Sequence, residues 1–89
     1  MEKEIIDLSY GHLEGVFDIE EYCNDNNINI LNVIELSIDN NGLSDIKNLH
    51  KAKNLVSVVC SNNNIKELKG IDNIINLQEI ITDDFVKIC

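Results

Sequence analysis

Carboxylates are the chemically active groups this chain has in quantity: sixteen Asp and Glu stand against seven Lys, and the formal net charge is −9. Phosphate binding rests on clustered Lys and Arg, so direct nucleic-acid binding is not expected, and a basic protein is the partner that a field of this sign favours. The most suggestive row is Asp7, Glu35, Asp39, Glu79 and Asp83, interleaved with Ser37, Ser57, Val59, Ser61 and Ile81. Within each short segment these residues alternate with apolar ones, the spacing that gathers side chains on one face of a strand. A face of that kind orients and holds a partner through charge, hydroxyl and a little apolar contact.

Other candidate groups do not assemble into a reactive site. The adjacent carboxylates Glu20-Glu21 and Asp83-Asp84 cannot work as an acid and base pair on a strand, because neighbours there point to opposite faces. No GxSxG, HExxH or phosphate-cradling glycine loop is present, so the chain is not expected to be an enzyme and no cofactor is expected. Cys23, Cys60 and Cys89 have neither metal-ligand spacing nor an even count, which fits reduced thiols better than a zinc site or disulfide framework. Cys60 takes an inward apolar position, whereas Cys23 and Cys89 are expected at exposed places. His12 and His50 stand apart from other ligand types and are read as surface residues.

The elements that must carry the acidic row follow from a repeat. Moving Val33, Leu36, Ile38, Asn41, Leu43, Ile46 and Leu49 forward by 22 positions gives Leu55, Val58, Cys60, Asn63, Ile65, Leu68 and Ile71. Apolar maps to apolar and Asn to Asn. A third copy starts at Ile74, Leu77 and Ile80 and fails where Phe85 takes the Asn position. This pattern resembles the LxxLxLxxNxI motif of leucine-rich repeats, and its 22-residue period is similar to the internalin and phosphatase-regulatory class of that family.

The resemblance implies an α/β fold: a short solenoid with a parallel concave sheet of about 3–4 strands and short helices or helical turns on the convex side. It implies that the amides of Asn41 and Asn63 bond the turn backbones of adjacent coils. It also implies a protein-protein interaction module whose binding surface is the concave row Asp7, Glu35, Ser37, Asp39, Ser57, Val59, Ser61, Glu79, Ile81 and Asp83. On the other side, Leu43, Ile46 and Leu49 should return the chain as a short helix or helical turn. Lys47, Lys51, Lys53, Lys66 and Lys69 fall in such returning segments, so the outer side should be basic where the strand side is acidic.

One domain is expected over residues 1–89. Residues 1–29 read as a degenerate N-terminal repeat or cap, 30–73 as two regular repeats, and 74–89 as a partial repeat and C-terminal cap. In the first of these, Glu4–Tyr10 has strand alternation, with Leu8 and Ser9 matching Leu36 and Ser37. Leu13, Val16, Ile19 and Tyr22 then fall three apart, which predicts a helix over Glu14–Cys23 that stops in the turn-rich segment NDNNIN, residues 24–29.

Residues 1–25 hold eight acids against Lys3 alone. That concentration suggests a second function class, a small acidic phage- or plasmid-type inhibitor that blocks a nucleic-acid-binding enzyme by charge mimicry. A third is a structural subunit that assembles through a bare sheet edge, with a homodimer as its simplest form. Neither a targeting segment nor a run long enough to cross a membrane is present, so membrane partners are not expected and the cytoplasm is the expected location. Abundant Asn and Ile with no Arg, Trp or Pro fit an AT-rich coding sequence, as in low-GC bacteria, their phages, protists and large viruses.

Overall fold

A computed structural model describes residues 2–89 as an α/β chain whose strands all pair in parallel, with a single α-helix among the described residues. The main sheet has four strands in the order β1 (Glu4–Asp7), β3 (Val33–Ser37), β5 (Ser57–Val59) and β7 (Glu79–Ile81). On the opposite side, β2 (Glu14–Asp18) pairs with β4 (Gly42–Lys47), and β6 (Glu67–Leu68) pairs with β8 (Lys87–Ile88). Parallel pairing between strands that follow each other in the main sheet requires the chain to cross back each time, and the second layer is that return path.

Register places equivalent residues side by side. Ile6 pairs with Leu36, Leu36 with Val58, and Val58 with Ile80, which makes one inward-facing column across the main sheet. Leu36 and Val58 are fully enclosed, and the apolar residues of both 22-residue copies are buried: Val33, Leu36, Ile38, Leu43, Ile46 and Leu49 with Leu55, Val58, Cys60, Ile65, Leu68 and Ile71. They form one core between the two layers. Fully burying a side chain of this size contributes about 1.5–3 kcal/mol, so the repeat is a statement about where stability comes from.

The turns between layers are closed by asparagine. Asn40 and Asn62 take positive φ, 57° and 56°, a conformation Asn tolerates better than most residues. The next residue in each copy then spends its amide on backbone. Asn41 Oδ1 accepts from Gly11 N at 2.9 Å and Leu13 N at 3.0 Å, and its Nδ2 donates to the carbonyls of Leu8, Ile38 and Asp39. Asn63 Oδ1 accepts from Leu43 N at 3.1 Å, and its Nδ2 donates to the carbonyls of Ile38, Cys60 and Ser61. These groups lie at the bend, beyond the reach of strand pairing, and around the buried Asn63 enclosure makes a partner necessary.

Several expectations are corrected. The segment expected as a helix over Glu14–Cys23 begins as β2, and the helix α1 covers only Ile19–Asp25. Asp18 sets the boundary: its carboxylate accepts from the backbone N–H of Glu20 and Glu21, satisfying two donors that a helix start leaves open. A register shift between Gly15 and Val16, with Gly15 at φ 73°, then turns Val16 outward and brings Phe17 into the core in its place. The helix also runs past Cys23, whose side chain is buried and not exposed as expected.

Leu43 and Ile46 lie on the extended strand β4, and the 3₁₀ turns are confined to Ile30–Asn32, Leu49–Lys51 and Ile71–Asn73. A three-residue spacing fits any path with about three residues per turn, and backbone pairing between returning segments selects the extended one. Nor is the return side uniformly basic: Lys51 pairs with Glu20 at 3.0 Å and Lys69 with Glu67 at 3.1 Å.

Leu36 pairs with Ile6 and not with Leu8, so the first strand sits two residues from its expected alignment. A slip of two preserves the face each side chain points to, and Asp7 still faces outward. The final segment pairs β8 onto β6 and leaves Ile80 only half-buried, so it extends the return layer without covering the main sheet's last strand.

Candidate protein-binding face

The outward side of the main sheet has two rows fixed by register. Ile5, Glu35, Ser57 and Glu79 make one, and Asp7, Ser37, Val59 and Ile81 make the other. Asp39, Ser61 and Asp83 follow where the strands run into their turns. All ten residues singled out by spacing therefore stand at neighbouring places, with neighbouring strands about 4.8 Å apart. Ile5, 61% exposed, belongs to the first row and was missed by the sequence reading. The signal that could have found it is the alternation in EIID, once Ile6 is taken as the inward residue.

Hydrogen bonds divide the row into free and engaged groups. Ser57 is buried, and its hydroxyl donates to Glu79 Oε1 on the next strand at 2.9 Å. Ser37 Oγ donates to Asp39 Oδ1 at 2.9 Å, and Asn40 Nδ2 donates to the other Asp39 oxygen at 2.6 Å. Asp83 accepts from the backbone N–H of Asn62 at 3.0 Å and of Asn63 at 3.4 Å. It thereby finishes the turn where a third Asn is lacking.

Asp7 accepts from both the hydroxyl and the backbone N–H of Ser9, and these bonds, the hydroxyl's first, hold its carboxyl below the usual aspartate range. A carboxylate has about four acceptor sites, so each of these acids keeps capacity for a partner while its orientation is already set. Glu35 is half-buried with both neighbours on its row known, Ile5 and Ser57.

Carboxylates on both flanks, from Asp7, Glu35 and Asp39 on one and Glu79 and Asp83 on the other, frame a centre of Val59 and Ser61 with Ile81 beside it. Ile81 is 44% exposed. Among the described residues, no three His, Cys, Asp or Glu side chains are grouped to hold a metal ion, and no helix is long and apolar enough to cross a membrane.

Some exposed side chains near the C-terminal end are apolar. Ile75, Phe85 and Ile88 are open to solvent, and a groove of about 400 Å³ lies between Ile71, Ile74, Ile75, Leu77, Gln78 and Ile80. Compared with known protein families, curated proteins and solved structures, the chain matches none of them.

Proposed function

We propose that this chain is a short leucine-rich-repeat solenoid of the 22-residue class and that it works without catalysis, holding a basic protein segment against its four-stranded acidic face. The observation that carries this reading is the placement of Glu35, Asp39, Glu79 and Asp83 around Val59 and Ser61 on one surface, with their side-chain directions set by internal hydrogen bonds at Asp39, Glu79 and Asp83. Oriented carboxylates steer a cationic segment and fix its register, and the exposed Ile81 supplies a small apolar contact. Four strands give a narrow footprint, below the ~1,600 Å² of a standard stable interface, so the complex is transient and salt-sensitive.

A lysine-rich peptide, titrated while backbone amide resonances are followed, tests this. Shifts should centre on Glu35, Val59, Ser61 and Ile81, and Glu35→Lys with Glu79→Lys should abolish them while leaving the folded spectrum intact. Shifts that instead centre on residues 2–25 would favour the charge-mimic inhibitor, and unchanged binding by the double variant would dismiss the acidic face.

Self-assembly is the second reading, favoured by the exposed Ile75, which lines a groove with Ile80 of β7, a strand with one partner. The amides of Glu79 and carbonyl of Ile81 face β5, so alternation turns the backbone groups of Ile80 outward, as an edge does before it pairs. Solution mass measured over a concentration range decides it; a strict monomer removes its support. The three unpaired thiols support a reducing, cytoplasmic setting for either reading.

A further inference from the structure

Asn41 is followed by Gly42, the one Asn-Gly pair in the chain. In a free chain this pair modifies itself, since glycine has no side chain to obstruct attack by its own backbone nitrogen on the preceding amide carbon. The fold nevertheless uses both residues. Asn41 closes the turn with bonds to Gly11, Leu13, Leu8, Ile38 and Asp39. At Gly42 a Cβ would stand 3.3 Å from the Leu13 carbonyl oxygen, at the close approach where Gly42 N donates to that oxygen at 2.7 Å.

We propose that Asn41-Gly42 is a conformationally guarded self-modification site, inert in the folded chain and reactive once the chain unfolds, with water as its only co-reactant. In the unfolded chain the Gly42 nitrogen loses its proton to solvent base and bonds to Asn41 Cγ. The bond from Cγ to Nδ2 breaks, ammonia leaves with a proton from water, and a five-membered succinimide remains. Water then opens the ring at either carbonyl to give aspartate or isoaspartate, with no change of oxidation state.

Both partners of the first step are immobilised in the fold. The Gly42 N–H is committed to Leu13, and the Asn41 amide is held from both its oxygen and its nitrogen, so Cγ cannot swing over the nitrogen. Asn63 closes the next turn with similar bonds and is more buried, but it precedes Asn64, which makes it an internal reference whose chemistry in the unfolded chain is slower.

The product cannot rebuild the turn. A carboxylate oxygen would stand where Nδ2 now meets the carbonyls of Leu8, Ile38 and Asp39, setting acceptor against acceptor. Isoaspartate would in addition lengthen the backbone at that bend. A chain that has been unfolded for long is thus permanently marked and refolds with lower stability.

The full chain, incubated folded and in urea at the same mildly alkaline pH, then digested and mapped by mass spectrometry, tests this. In urea Asn41 should convert faster than Asn63 and every other Asn, and Gly42→Ala should slow that conversion whether or not the variant folds. In the folded chain conversion at Asn41 should be slower by a factor of about ten or more, since it must wait for local opening. Converted chains, separated and returned to buffer, should fail to regain the unmodified urea midpoint. Equal rates in the two states, or converted chains that refold with an unchanged midpoint, would overturn the proposal.

Discussion

The side-chain amides of Asn41 and Asn63 donate to the same carbonyl oxygen, that of Ile38, at 2.9 Å and 3.0 Å. One peptide group thus ties its own turn to the next, using both of its lone pairs. Asn63 is the more buried of the two, and its Nδ2 also reaches the carbonyls of Cys60 and Ser61 while its Oδ1 holds Leu43 N. Replacing it by Ala removes partners from several enclosed groups, each costing about 1–3 kcal/mol when left unsatisfied. Asn63→Ala should lower stability by about 3 kcal/mol or more in urea denaturation. Asn41→Ala, at a half-buried turn that water can reach, should cost less. Equal losses for the two would show that enclosure does not set the penalty.

Thr82 offers the opposite case. Its Oγ1 is the one buried side-chain polar atom among the described residues with no hydrogen bond. The Cys60 thiol beside it acts as a weak polar neighbour, insufficient to replace water. Thr82→Val keeps the shape and removes the unpaired hydroxyl, so it should raise stability by about 1 kcal/mol. A shift of the urea midpoint to lower concentration would count against an unsatisfied hydroxyl at this place.

Period and parity made most of the interior readable, and local backbone choices did not. The 22-residue repeat identifies which residues share the column Leu36, Val58 and Ile80, because a buried face constrains every equivalent position in the same way. The first strand pair departs from the period: Ile6 pairs with Leu36 across 30 positions, where Leu36 pairs with Val58 across 22. The added residues hold α1, an element whose start depends on the Asp18 cap and whose preceding strand depends on pairing with β4. Neither dependence leaves a mark in hydrophobic spacing, so Val16 and Phe17 exchanged roles. The acidic row was legible because two-residue alternation survives a shift of two. The engagement of Ser57 by Glu79 was not, since it arises between strands 22 residues apart.

Thiol reactivity should separate the three cysteines. Cys23 and Cys60 are enclosed, whereas Cys89 is exposed, and burial pushes both enclosed thiols up from their ordinary range. The thiolate is the reacting form, so low access and low ionisation act together. Folded protein treated with a thiol-alkylating reagent near neutral pH should be modified at Cys89 alone, and urea should release the other two. Modification of Cys60 at the rate of Cys89 in the folded state would contradict its place in the core.

Acid should act on the cap that starts α1. The Asp18 carboxyl is held below the usual aspartate range, first by the Asn48 side-chain amide, which donates to Oδ1 at 3.0 Å, and then by the backbone N–H groups of Glu21 and Glu20. A carboxyl depressed on folding adds stability above its unfolded pKa, near 3.8, and that contribution is lost as pH falls through the lower folded value. Asn48→Ala removes the leading cause. The variant should be less stable than the parent at neutral pH, and the gap should close as the pH is brought below the range in which Asp18 stays ionised. Urea midpoints of both proteins, taken from neutral pH down into that range, check the sign; a gap that stays constant would mean Asn48 acts through packing of its left-handed turn and not through the Asp18 charge.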